Sequence, residues 1–184
     1  MLRMINSMWR GFQDRLYGSR NPVGFARSIG VRVGNNVRFY GISRAMFGSE
    51  PWMIKIGNDV YITAGVTFIT HDGGSLILRK EIADLEWSAP ITIGNDVYIG
   101  VQSLIMPGVR IGNRCVIGAR SVVTKDVQDN SVVVGAPARV ICTTDQYLEK
   151  MQNKSLRLGH LHGAEKDAAL RKILAEQGWF DEGQ

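Results

Sequence analysis

The sequence predicts an all-β core, a parallel β-helix of hexapeptide repeats, with a helical segment at each end. Three observations carry that prediction. Large aliphatic residues recur every six positions through IGNDVY, IGVQSL, IMPGVR, IGNRCV, IGARSV and VTKDVQ, without a gap from Ile93 to Gln128. The fifth place of each hexad holds a smaller residue, namely Val97, Ser103, Val109, Cys115, Ser121 and Val127. Gly, Asn and Pro stand between these places. A period of six fits neither a helix nor a sustained strand, so each hexad reads as a short strand followed by a corner, with its first and fifth residues facing inward.

The elements follow in chain order. Residues 1–20 form an amphipathic helix, with Leu2, Ile5, Met8, Trp9, Phe12 and Leu16 apolar and Arg3, Arg10 and Arg15 basic. It either caps an open end of the core or touches an anionic membrane surface. Residues 21–142 form the repeat domain. Its early hexads are VGNNVR and FYGISR from Val33, then IGNDVY, ITAGVT and FITHDG from Ile56; VGAPAR begins at Val134. Asn35, Asn58, Asn95 and Asn113 occupy third places, where Asn is expected to take left-handed backbone angles at the corners. Three sides close a coil, and coils stack about 4.8 Å apart. Residues 143–184 form a helical tail around YLEKMQ and EKDAALRKILAEQ, joined by Gly159 and Gly163. The tail covers the other end or packs on a neighbouring subunit.

Composition bounds the function. The chain has 184 residues, 45% hydrophobic and 21% charged, enough for one folded domain with appendages. A net charge of +5 and a pI near 9.4 suit an anionic partner. There are no zinc-finger spacings, no stacking-aromatic RNA motifs and no long basic run, so no nucleic acid is expected. Cys115 and Cys142 make no CxxC pair and read as small buried hydrophobes in a reducing compartment. No stretch is apolar enough to span a bilayer and the N-terminus lacks a signal-peptide pattern, so a cytoplasmic setting is expected.

The repeat stops once, from Asp72 to Pro90, and resumes at Ile91–Ile93. A long loop inside a compact repeat is usually functional, and closing it costs little. His71 stands at its exit. The residues alone leave two readings: a general base fixed on a rigid coil beside a loop that covers an acceptor, or a structural corner histidine. Asp72 is a candidate to orient His71, although neighbours on an extended strand diverge. Within the loop, Trp87 either stacks on a sugar or anchors the loop, and Asp84 and Glu86 are candidates to accept hydrogen bonds from sugar hydroxyls. His160 and His162 lie in the tail and read as solvated.

His71, Arg79, WSAPITIGNDVYIG, GARSVVTKDV and GAPARVI, taken together, resemble the hexapeptide-repeat acetyltransferase family, over roughly residues 30–141. The likeness is to its galactoside, maltose and surface-polysaccharide O-acetyltransferases. The resemblance implies a left-handed β-helix, acetyl-CoA as co-substrate, no metal, and a homotrimer whose active sites lie between subunits. It implies His71 as the base that removes the acceptor hydroxyl proton, and Arg79 on the acceptor side. It also implies Tyr98, Gly100 and Val101 beside the reactive end of the pantetheine arm, Ala119 and Thr124 along its path, and Lys125 and Arg139 at the phosphates. Tyr98 stands where the family often has Trp, and Val101 where it often has a small polar residue.

The function so implied is O-acetylation of a sugar hydroxyl of a bacterial surface polysaccharide or its precursor, and the membrane reading of residues 1–20 adds peripheral contact at the inner membrane face. An N-acetyltransferase on a nucleotide-linked amino sugar uses the same fold and base. A metal-dependent hydratase on such a core needs about three histidines around zinc, and the repeats hold one. A non-catalytic scaffold is the remaining class.

Overall fold

In the computed structural model, residues 18 and 20–179 are described; the expected N-terminal helix lies almost wholly outside them. A short helix α1 (Pro22–Ser28) leads into the repeats, its N-terminus capped by the Asn21 side chain accepting from the Gly24 N–H at 2.9 Å. Successive short strands then rotate among three sheets. The first face holds β1 (Arg32–Val33), β3 (Ile54–Ile56), β6 (Ile91–Ile93) and β9 (Arg110–Ile111). The second holds β2 (Arg38–Phe39), β4 (Tyr61–Ile62), β7 (Tyr98–Ile99), β10 (Val116–Ile117), β12 (Ser131–Val134) and β13 (Arg139–Thr143). The third holds β5 (Thr67–Phe68), β8 (Leu104–Ile105) and β11 (Val122–Val123). Every pairing but β12–β13 is parallel.

The expected inward places are inward. Ile93, Ile99, Ile105, Ile111, Ile117 and Val123 are buried, and so are Val97, Ser103, Val109, Cys115, Ser121 and Val127. Burial of such aliphatic columns is worth about 1.5–3 kcal/mol per side chain, which makes this column the main source of cohesion. The two serines in it are satisfied: Ser103 donates to the Gly118 carbonyl at 2.9 Å, and the Ser121 hydroxyl accepts from the Gly135 N–H at 3.2 Å. Above β5 the first coil has no strand on the third face. A 3-10 turn, Arg44–Phe47, stands there instead, and Phe47 stacks on Phe68 with ring centroids 5.9 Å apart.

One corner is knitted by a column of amides. The Asn58 side chain accepts from the Asn35 N–H, Asn95 from Asn58, Asn113 from Asn95, and Asp129 from Asn113, at 2.8–2.9 Å. The partners are 23, 37, 18 and 16 residues apart in that order. Only the third coil therefore has the ideal length; the first is longer, the second much longer and the last shorter. The third-place Asn residues are not the left-handed ones. Positive φ falls one place later, at Asn36 (52°), Asp59 (56°), Asp96 (55°) and Arg114 (54°). Asn is needed at the third place for its side-chain oxygen, which feeds the backbone of the preceding coil. Glycine before it lets the coils approach: a Cβ on Gly94 would lie 2.5 Å from the Gly112 carbonyl oxygen.

The hexad VTKDVQ also departs from the expected register. Val127 bridges to Ile111 in the parallel sense, so it occupies a first place, four residues after Val123. That shortened side shifts Val133 onto Ile117. β12 then turns back into β13, antiparallel and outermost in its sheet, with a register shift between Val132 and Val133.

The contacts divide the chain between Tyr147 and Leu148. Helix α2 (Thr144–Lys154) begins in the first unit, where Thr144 donates to the Arg114 carbonyl at 2.7 Å and Asp145 pairs with Arg114 at 2.7 Å. The second unit contains α3 (Gly163–Glu176), with an Asp167–Arg171 pair one turn apart.

Candidate active site

The two long coils are long at the same corner, between the third and first faces. Pro51–Met53 forms a 3-10 turn just before β3 and presents Glu50. One coil further on, Ile69, Thr70 and His71 continue β5 outward, and the loop returns through Ser88 and Ala89 to β6. Its neck is zipped shut: the Asp72 N–H donates to the Trp87 carbonyl at 2.9 Å and the Ala89 N–H to the Thr70 carbonyl at 2.8 Å. His71 is thus held on rigid backbone although the loop beyond it is long.

Its imidazole faces a carboxylate. His71 Nδ1 lies 2.9 Å from Glu50 Oε2, and the Thr70 hydroxyl donates to that same oxygen at 2.6 Å. Glu50 is consequently held below the usual carboxylate range, first by the Thr70 hydroxyl and then by His71. An ionised carboxylate only accepts, so Nδ1 carries the proton. In its neutral form such a ring offers Nε2 as a lone pair. The His71 side chain is 40% exposed, which leaves that nitrogen reachable. Beside the pair lies a cavity of about 280 Å³ lined by Glu50, His71, Asp72, Leu76, Arg79 and Glu86 among others.

Asp72 does not orient His71. Its carboxylate accepts from the Gly74 N–H at 2.8 Å and caps the 3-10 helix Gly73–Lys80, because the side chain points away from that of its neighbour. Glu50 takes the orienting place. No hexad signal marks it, and the signal that existed was spacing: the stretch from Val33 to Ile56 is longer than a coil and carries this acid. Arg79 and Glu86 reach the cavity, with the Arg79 Nε donating to the Leu85 carbonyl at 3.0 Å and the guanidinium 4.0 Å from the Glu86 carboxylate. Asp84 and Trp87 do not line it. Trp87 leans on the prism, its ring 3.9 Å from where a Gly108 Cβ would be.

Lys125 and Arg139 come together in a second cavity of about 260 Å³, with Val123 and Ala138 among its walls. Tyr98 is exposed on β7 at the edge of the second face and Val101 on the corner that follows; Gly100 is buried between them, and a Cβ on it would meet the Ala119 nitrogen at 2.5 Å. Ala119 shares that corner, while Thr124 lies exposed after β11 on the corner that carries His71, two coils away. One chain therefore separates Tyr98, Gly100 and Val101 from His71 by the width of a face. Cys115 is buried, its thiol pushed up by burial and donating to main-chain carbonyls at 3.2–3.3 Å, a poor nucleophile. Among the described residues no group of three His, Cys, Asp or Glu could hold a metal, and no helix is long and apolar enough to cross a membrane.

Residues 90–125 match the model "Bacterial transferase hexapeptide (six repeats)". The chain is similar to Protein CapG of Staphylococcus aureus, 52% identical over 125 residues that cover 68% of this chain and 73% of that one. It is also similar to galactoside O-acetyltransferase of Escherichia coli (strain K12), 40% identical over 65% of this chain, but spans only 57% of that relative's length. A solved hexapeptide-repeat-containing acetyltransferase from Vibrio cholerae superposes with a TM-score of 0.50 at 27% identity, covering 65% of this chain and 77% of that one. With the rotating strands, the hexad core and the histidine at the loop neck, these matches make the chain a member of the hexapeptide-repeat acetyltransferase family.

Proposed function

We propose that this chain is an acetyl-CoA-dependent O-acetyltransferase that acetylates a sugar hydroxyl of a bacterial surface polysaccharide or its precursor, with His71 as general base. The observation that carries the reading is the Glu50–His71 contact of 2.9 Å, which fixes the tautomer a base requires. Nε2 takes the hydroxyl proton as the acceptor oxygen attacks the thioester carbonyl carbon. The new C–O bond forms, the C–S bond breaks, and the imidazolium returns its proton to the leaving sulfur. Glu50 stabilises the ring while it is charged, and no protein nucleophile is consumed. Glu86 and Arg79 are positioned to meet the acceptor, whereas Trp87 anchors the loop on the core and Asp84 stands outside the cavity.

The second cavity suits the nucleotide end of the co-substrate, with Lys125 and Arg139 as its cations and the Ala138 and Val123 walls beside them. We read the winding as the left-handed β-helix of the family. We also read the assembly as a trimer with active sites between copies: Tyr98, Gly100, Val101 and Ala119 sit a face away from His71 in one chain, and a neighbour's set closes that distance. The outward residues of the third face, Thr67, Leu104 and Val122, are half-buried and mostly apolar, a surface suited to such contact. A cytoplasmic setting, with residues 1–20 at the membrane surface, belongs to the same reading.

The test is thiol release from acetyl-CoA with a panel of saccharide and aminosugar acceptors, using wild type and His71→Ala. Release that depends on a hydroxyl acceptor and collapses in the variant supports the reading; preference for amines moves it to N-acetylation. Equal rates in both proteins would remove His71 from the mechanism. An active monomer by solution mass would rule out the shared site.

A further inference from the structure

We propose that the outward row Arg32, Lys55, Thr92 and Arg110 on the first face is a docking track for an anionic saccharide chain, leading it past the Glu50–His71 cavity. The proposal rests on the saccharide-acceptor reading and deepens it, by naming the acceptor as an oligomer or polymer that bears acidic groups.

The row is fixed by the ladder. Arg32 pairs with Lys55, Lys55 with Thr92 and Thr92 with Arg110, one coil apart each time. At about 4.8 Å per coil it runs about 14 Å parallel to the coil axis. Arg32, Lys55 and Arg110 are exposed, and none pairs with a carboxylate among the described residues. The nearest acid on the row is Asp126, whose carboxylate accepts from the Arg110 backbone N–H at 2.8 Å at the far end. Like charges directly opposite on neighbouring strands are unfavourable. Arg32 over Lys55 is such a pair, and an external anion relieves it.

The row also starts from the site's own elements. Lys55 belongs to β3, the strand entered from Glu50, and Thr92 to β6, the strand entered from the loop neck. Between Glu50 and Lys55 stands Trp52, 62% exposed, an indole able to take the apolar face of a pyranose. Cations are concentrated here: the outward row of the second face runs Arg38, Tyr61, Tyr98 and Val116, its one arginine lying over the Tyr61 ring, and that of the third face is Thr67, Leu104 and Val122. A row of three cations and a threonine with no outward aliphatic in it fits a linear polyanion better than a bilayer, where cations alternate with apolar anchors.

The experiment is binding of the full chain, without acetyl-CoA, to polygalacturonate, neutral dextran and phosphatidylglycerol vesicles over a salt series. The expected result is binding to polygalacturonate and not dextran, lost as salt rises, and about tenfold weaker in Lys55→Gln/Arg110→Gln. Lys55→Arg keeps it, and Lys150→Gln/Lys154→Gln, which removes the same charge from α2, leaves it unchanged. An equal loss in both double variants, or no polygalacturonate binding, overturns the track. Preference for the vesicles overturns the saccharide assignment, and a changed solution mass in Lys55→Gln/Arg110→Gln overturns it in favour of a contact between copies. Because no acetyl transfer is measured, the outcome is independent of whether the acetyltransferase assay above succeeds.

Discussion

From Ile93 to Val123 the chain passes three sheets at the ideal spacing, with Asn95 and Asn113 18 residues apart. Between Val33 and Ile93 the same sheets are visited at spacings of 23 and 37. The regular stretch spends its residues on packing: aliphatic first places, small fifth places, an amide column and glycines where coils touch. The irregular stretch keeps all of these and adds two excursions at one corner. Glu50 comes from the shorter excursion and His71 from the neck of the longer. On the proposed mechanism, chemistry is confined to segments that the ladder does not need, and the ladder fixes where they meet.

If that separation holds, substitutions in the two stretches fail in different assays. His71→Ala should lower acetyl transfer by about a thousandfold, near 4 kcal/mol on the barrier, while the melting temperature stays put. Gly94→Ala should do the reverse. Its Cβ is driven into the Gly112 carbonyl, and overpacking of that kind costs about 3 kcal/mol of stability, read as a lower denaturant midpoint at unchanged slope. Glu50→Gln should lower kcat about tenfold at unchanged KM for acetyl-CoA. Glu50→Ala should lower it further, since only Gln retains an oxygen for the Nδ1–H.

The Glu50 carboxyl is held low in the fold, so its stabilising contribution is full above the ordinary glutamate value and disappears as pH falls through the lowered one. Melting curves between neutral and acid pH should lose that limb in Glu50→Gln. The smallest effect is expected at Asp129, held low chiefly by the Asn113 backbone N–H. Asp129→Asn still supplies an accepting oxygen, so neutral stability should not change; only the acid loss, which follows the same sign as for Glu50, should vanish.

Much of this was legible in the sequence, and its limits have physical causes. A six-residue aliphatic period specifies which side chains enter the core, and each expected inward residue from Ile93 to Val127 is buried. It does not specify how many residues a side contains. Val123 and Val127 both satisfy an aliphatic pattern, so the shortened side was invisible until Val127 was seen bridging to Ile111. Left-handed geometry was expected at Asn because Asn tolerates it; the corner places it on the next residue, including Arg114, because the Asn oxygen is committed to the coil before it. His71 could be singled out because it interrupts a pattern. For Glu50 the spacing from Val33 to Ile56 marks only an overlong coil; its partner is 21 residues away, and only the closure of a coil brings them together.

Stacked parallel coils end in an open row of backbone donors and acceptors, the arrangement on which fibres grow by adding one copy to the next. β13 lies outermost on the second face, runs against the direction of the sheet, and pairs with a slipped register at Val132 and Val133. A newcomer approaching in the parallel sense finds its hydrogen-bonding sequence reversed and out of step. The hairpin therefore acts as a terminator on that face, letting a repetitive protein remain discrete at concentrations where an unblocked edge would seed aggregates.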